Sequence, residues 1–202
     1  MNLGSVAAIR SGLVLSRKLS REQSPYCYPL LNLRAIHPDG YILSDSLEVF
    51  HAIEPLSQEY LTQQSDIIIR LSIPYTPILI VPDMVGMVVS SNFTIIRSNQ
   101  EQVLPEYLLW LLSTPEMKKK IYESSSSNML SAVRPSFFAD LDIPFLSLVD
   151  QRKIAQLNLL AKRESRLLKR LAEEKEKYYA IVIDRAQKRM IGGNQLDDKK
   201  RY

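Results

Sequence analysis

Between Asp150 and Met190 the chain carries neither proline nor glycine, and this uninterrupted run limits the possible folds more than any other feature. Helix formers dominate it, and nothing in it breaks the hydrogen-bond ladder. About forty residues rising 1.5 Å each make a rod of about 60 Å. Apolar residues recur along it at steps of three and four: Ile154, Leu157, Ala161, Leu168, Leu171, Tyr178 and Val182. Glu164 and Lys175 fill the two gaps in that stripe. A helix this long with a narrow apolar stripe calls for a partner helix. If two copies pair antiparallel, Glu164 and Lys175 meet as opposite charges, and polar positions in a seam specify register. Gly192-Gly193 predicts the end of the helix, with 192–202 as a flexible tail.

The residues ahead of the rod read as a mixed domain. Ser5 fits the cap of a short helix that Gly12 would end. Ser24 to Leu33 has the aromatics, leucines and flanking prolines of a strand. His37-Pro38-Asp39-Gly40 is a turn, since proline presets one backbone angle and glycine permits a positive one. Ile53 to Tyr60 is expected as a loop leading into a short helix. Asp66–Ile73, Pro77–Val81 and Met84–Ile96 are dense in Ile and Val, whose branching suits a pleated surface, with Pro82-Asp83 as a tight connection. Pro105 and Pro115 each open a helix, where proline is favoured in the first turn. The stretch from Ser124 to Asn128 reads as a polar loop, and Phe137 to Leu148 as an extended segment. The fold class expected is α/β (α+β): a twisted, mainly antiparallel sheet with helices over 1–148, then a long helix over 149–191 forming an antiparallel coiled coil.

A chain of 202 residues, 46% hydrophobic and 24% charged, holds enough apolar material to bury one core without disulfides or metal. Its lone cysteine, Cys27, excludes an internal disulfide or cysteine zinc site. The first twenty residues hold Arg10, Arg17 and Lys18 and lack an apolar core of the signal-peptide kind. The most apolar stretch, Ile78 to Val89, is too short to span a bilayer. A cytoplasmic protein with no membrane partner is the expectation. The net charge of +4 is unevenly divided: residues 1–148 hold 11 Lys+Arg against 14 Asp+Glu, net −3, and residues 149–202 hold 15 against 8, net +7. Any nucleic acid bound by the first part must therefore meet a local patch, because attraction to phosphate scales with the cations that reach it.

Enzyme chemistry needs convergent reactive groups, and the sequence offers few. It has no glycine-rich phosphate loop followed by Lys-Ser/Thr and no G-x-G-x-x-G. It also lacks the Asn/Asp-Pro-Pro-Tyr/Phe run of amino-methyltransferases. His37 and His51 are the only histidines, and both sit in turn-like polar surroundings. Pro82-Asp83 with Glu116-Met117-Lys118 matches the loose pattern of metal-dependent nucleases, but helix capping after Ser113-Thr114-Pro115 accounts for Glu116. No catalytic residue, metal site or cofactor is expected.

Several segments occur in a familiar order. Leu3-Gly4-Ser5-Val6, running on to Ile9-Arg10-Ser11-Gly12, resembles the start of target-recognition domains in specificity subunits of type I restriction-modification systems. Ser65-Asp66-Ile67-Ile68-Ile69-Arg70 is similar to their Gly-Asp-aliphatic strand, with Ser in the place of Gly. Phe93–Ile96 and then Leu104-Pro105-Glu106-Tyr107-Leu108-Leu109-Trp110-Leu111-Leu112-Ser113 resemble the family's P-x-Y-L-x-x-x-L step. Ser125 to Asn128 and Leu130, Phe137-Phe138, Leu141-Asp142-Ile143-Pro144 resemble the segment leading out of the domain. Asp150-Gln151-Arg152-Lys153-Ile154-Ala155 is similar to the Glu-Gln-x-x-Ile-Ala helix start, with Asp for Glu.

The resemblance implies a non-catalytic subunit that reads half of a bipartite site on double-stranded DNA and docks methyltransferase subunits. Family members usually carry two recognition domains and two helices, whereas this chain has one of each, so a homodimer would restore the full set. The seam would comprise Ile154, Leu157, Ala161, Glu164, Leu168, Leu171, Lys175, Tyr178 and Val182. Base readout and phosphate contact need Arg, Asn, Gln, Lys, Ser or Tyr on exposed loops. The candidates are Arg17, Lys18 and Arg21, Arg70 and Tyr75, Ser125, Ser126, Ser127 and Asn128, and Arg134, although Arg70 also fits a partly buried ion pair. Two rival readings remain at this point: an oligomeric protein–protein adaptor that binds no DNA, and a metal-dependent nuclease built on Asp83, Glu116 and Lys118.

Overall fold

The computed structural model describes residues 1–22, 24–126 and 133–198, apart from the side chains of 126 and 191–198. The chain divides into two compact units, Met1–Ala155 and Gln156–Tyr202.

In the first unit the described strands are β1 (Ala7–Ser11), β2 (Tyr26–Leu31), β3 (Glu48–Ala52), β4 (Ile67–Arg70), β5 (Pro77–Leu79), β6 (Val88–Val89) and β7 (Phe93–Ser98). Helices α1 (Pro105–Ser113), α2 (Pro115–Ser126) and α3 (Pro135–Ala139) follow, and α4 (Leu148–Asp198) begins in this unit. The strands form two sheets, one in the order β1-β7-β4-β5 and one in the order β3-β2-β6. Every pairing in the larger sheet is antiparallel. The smaller sheet mixes an antiparallel β2–β3 pair with a parallel β2–β6 pair. The mainly antiparallel sheet-plus-helix class expected from the sequence is therefore the observed one.

β4 shows why the larger sheet is stable. Ile67, Ile68 and Ile69 are all fully buried, as a continuous aliphatic run requires when both faces of a strand are covered. Ile67 and Ile69 pack with Ile96 under Tyr107, Leu108 and Leu111 of α1 and Phe138 of α3. Ile68 points to the other face, among Ile78, Ile95, Phe93 and Leu31. Each such side chain contributes about 1.5–3 kcal/mol by leaving water.

Four local readings need correction. Residues 3–5 make one 3-10 turn capped by Asn2, and Ala7–Ser11 is strand β1, not a helix ended at Gly12. The short alanine-containing run is carried into the sheet by pairing with β7. β3, which lacks a clean alternating pattern, was not foreseen. The Met84–Ile96 run is two strands separated by the Ser90–Asn92 turn. Phe137 and Phe138 lie in helix α3, opened by Pro135, not in an extended segment.

Helix α4 starts at Leu148 and runs past Gly192-Gly193 to Asp198. The paired glycines lower helix propensity by about 1 kcal/mol each but do not end the helix. Its first turns belong to the head. Gln151, almost fully buried, donates from Nε2 to the carbonyls of Gln102 and Leu146, 2.9 and 3.0 Å away. Its Oε1 accepts from the Leu104 amide at 2.9 Å. Ile154 packs against the head's core. Among the described residues no helix is long and apolar enough to cross a membrane.

Candidate nucleic-acid interface

Strand register gathers several loops at one end of the larger sheet. Ser11 pairs with Thr94, and Arg70 pairs with Phe93. The end of β1, the end of β4 and the start of β7 therefore lie together. The Ser90–Asn92 turn ahead of β7 ties them down: Leu13 donates to Val89 at 2.7 Å, Ser91 donates to Leu13 at 2.8 Å, and Leu71 donates to the Asn92 carbonyl at 3.0 Å. Val133, just before Arg134, donates to Leu71 at 3.0 Å. Close approach is built into this end, since a Cβ on Gly12 would sit 2.2 Å from the Ser90 carbonyl oxygen.

This end carries much of the candidate cationic surface. Arg17 lies in the 3-10 turn Leu15–Arg17 that follows Leu13, and is exposed. Arg134 is exposed at the start of α3. Arg70 is partly buried, and its Nε donates to Ser72 Oγ at 2.9 Å. None of these three has a carboxylate partner among the described residues, so Arg70 is not the ion-pair partner considered from the sequence. Sequence reasoning passed over Arg34, a lone cation in an apolar run. It is exposed three residues beyond Leu31, which pairs with Val89 beside the same turn.

Residues 18–20 leave this end along the edge of the smaller sheet. Ile53 donates to the Lys18 carbonyl, Ser20 donates to His51, and Leu19 bridges to Ala52. Lys18 is held by Glu54, so it is a weaker candidate than its neighbours Arg17 and Arg21. Arg21 is exposed. On the same sheet Cys27 Sγ lies 3.2 Å from His51 Nδ1, a cross-strand pair given by the β2–β3 register.

Two candidates are withdrawn. Tyr75 is 4% exposed, and its hydroxyl donates to Ser125 Oγ at 2.6 Å, itself buried. Ser125 in turn donates to the Tyr122 carbonyl. These polar tips satisfy each other inside the core and have nothing left for a phosphate. The polar loop expected at 124–128 is helical as far as Ser126, the last residue of α2. The side chain of Ser126, and all of Ser127 and Asn128, lie outside the described residues.

The opposite end of the larger sheet is organised by Asp66 and Arg97. Arg97 donates to both Asp66 carboxylate oxygens at 2.8 and 3.1 Å, and to the Leu61 carbonyl at 2.7 Å. Burial pushes the Asp66 carboxyl above its usual range against the pull of Arg97. The pair fixes the loop that carries Glu59, which in turn binds Arg10 at 2.6 Å.

The nuclease-like acids do not form a site. Asp83 lies in the 3-10 turn Pro82–Met84, and Glu116 binds Lys120 one turn along α2 at 3.0 Å. No group of three metal-ligating side chains occurs among the described residues.

The second unit presents its stripe to solvent. Leu168 and Leu171 are 59% and 52% exposed, and Leu157, Ala161, Glu164, Lys175, Tyr178 and Val182 are exposed with them. Ile154 is the exception, because it is used by the head's core. The apolar surface is also wider than the sequence stripe, since Leu160, Leu167, Tyr179 and Ile181 are exposed beside it.

No protein-family model matches this sequence, and no curated protein matches it. Solved structures do match its fold. The HsdS subunit from Thermoanaerobacter tengcongensis aligns at a TM-score of 0.65 and 23% identity, over 88% of this chain and 45% of that one. A chain from a structure of type I R-M system assembly and conformational transition aligns at 0.64 and 22%, with the same coverage. The type I restriction-modification S subunit from M. genitalium aligns at 0.51 and 15%, over 81% and 38%. The chain thus has the fold of part of these subunits and spans less than half of their length.

Proposed function

We propose that this chain acts as a DNA-specificity subunit of a type I restriction-modification system, to which it contributes one recognition head and one pairing helix. The observation that carries the reading is the fold match over 88% of the chain to an HsdS subunit. The loop end of the head supports it, because Arg17, Arg34, Arg70 and Arg134 give an overall acidic domain a local cationic surface. Methylation and cleavage would come from other subunits, and no catalytic centre or cofactor is assigned to this chain.

The stripe on α4 has a symmetric antiparallel solution. From Leu157 to Val182 the steps alternate four and three without a break. Pairing two copies about a centre between Lys169 and Arg170 sets Leu157 opposite Val182, Ala161 opposite Tyr178, Glu164 opposite Lys175 and Leu168 opposite Leu171, each twice. A small residue faces a large one and each charge faces its opposite, as a packed seam requires. Two heads joined in this way read two segments of duplex at a set interval, by the logic that fixes half-site spacing in dimeric repressors. The exposed Leu160, Leu167 and Ile181 beside the seam extend the apolar arc and offer methyltransferase subunits a docking strip.

Light scattering on the purified chain, followed by duplex binding across a salt series, tests the reading. A dimer whose affinity falls steeply with salt is expected. A dimer indifferent to DNA would favour the adaptor, and Mg²⁺-dependent cleavage would favour the nuclease.

A further inference from the structure

We infer that Asn92 reads an adenine, and this assignment rests on the DNA-binding reading above. Asn92 forms the tip of the turn between β6 and β7, and its side chain is exposed. It makes no hydrogen bond among the described residues, so the amide keeps both its donor and its acceptor. Three other amides of the head are wholly or partly committed elsewhere. Asn32 donates to Ser46 and accepts from Ala35, Asn99 accepts from Glu101, and Gln151 is buried.

The backbone below the tip is held from both sides. The Asn92 carbonyl accepts from Leu71, and Phe93 donates to Ser90 at 3.1 Å. Val88, Val89 and Phe93, on either side of the turn, are fully buried. A side chain on such a turn is pre-positioned, so little order is lost when it meets a base. The segments leading to Arg17, Arg70 and Arg134 converge on the same turn. Phosphate-positioning cations thus surround a free amide, which divides the labour between register and readout. Asn bonds bidentately to N6 and N7 of adenine in the major groove, and its short, uncharged fork suits no other base as well.

The test is selection from a random duplex library with the full-length dimer, run in parallel for the wild type, Asn92→Ala and Asn92→Asp. The unfolding midpoints of both variants should match the wild type, because the side chain is exposed and makes no hydrogen bond among the described residues. The expected result is a motif in which one A·T position per half-site loses roughly 10- to 100-fold of its discrimination in both variants while all other positions persist. Recovery of an unchanged motif would overturn the assignment and leave the specificity-subunit reading standing. Loss of every position equally would also overturn it, marking Asn92 as a general contact. Failure of the wild type to enrich any motif would remove both.

Discussion

At the residue scale, two buried or crowded positions decide whether the candidate surface is held in place. Gly12 passes so close to the Ser90 carbonyl that a methyl group there would fall at 2.2 Å, against backbone that cannot swing away. Gly12→Ala should therefore destabilise the head by about 1–3 kcal/mol, measured as a lower urea midpoint. Gln151→Leu keeps the volume but removes three hydrogen bonds, leaving the Leu104 amide and the Gln102 and Leu146 carbonyls without partners. A loss on the order of 3 kcal/mol is expected from the same measurement. Gln151 was visible in the sequence only as part of a motif. Its role depends on carbonyls 49 and 5 residues away, which no local pattern reveals. The reverse error struck Tyr75 and Ser125, 50 positions apart, whose hydroxyls suggested surface contacts but meet inside the core.

At the element scale, legibility followed the strength of the local pattern. β4 announced itself through unbroken isoleucine, β5 through the aliphatic run after Pro77, and α1 and α2 through prolines at their first turns. β1 and β3 did not. Ala7-Ala8-Ile9 is no more strand than helix until β7 pairs with it, and Glu48–Ala52 buries only Phe50 and Ala52. The long helix was the most legible element, and its seam makes a sharp prediction. Glu164→Lys puts two Lys–Lys contacts into the antiparallel pair and should weaken dimerisation about 10- to 100-fold. Lys175→Glu should do the same. The double exchange, Glu164→Lys with Lys175→Glu, restores both pairs and should return the dimer in sedimentation analysis. Were the double variant as monomeric as the singles, the register would be wrong even if the helix still paired.

At the scale of the whole molecule, the question is how an acidic head and a basic helix share the work of binding. Residues 1–148 carry net −3 and residues 149–202 net +7, so non-specific attraction to DNA could come from the tail alone. Salt dependence and site dependence, taken together, separate the two. If about four cations at the loop end of each head meet phosphates, log K should fall against log salt with a slope of roughly −3.6 per head, and roughly −7 for a pair bound together. Leu168→Glu, which buries two carboxylates in the seam, should yield a monomer whose head stays folded, because Leu168 lies outside the first compact unit. That monomer retains every residue of the head and, apart from one added carboxylate, all the charge of the helix. If the helix charge drives binding, the monomer also loses half its cations, but affinity should fall alike for paired sites, isolated half-sites and unrelated duplex. If two joined heads drive it, the slope should fall to about half, and affinity for a paired site should drop about 10²- to 10⁴-fold as the second contact stops being intramolecular. Affinity for an isolated half-site should stay as it was. The second pattern is expected, because a surface gathered from four separated stretches of chain gains most when a second copy presents it again at a fixed distance.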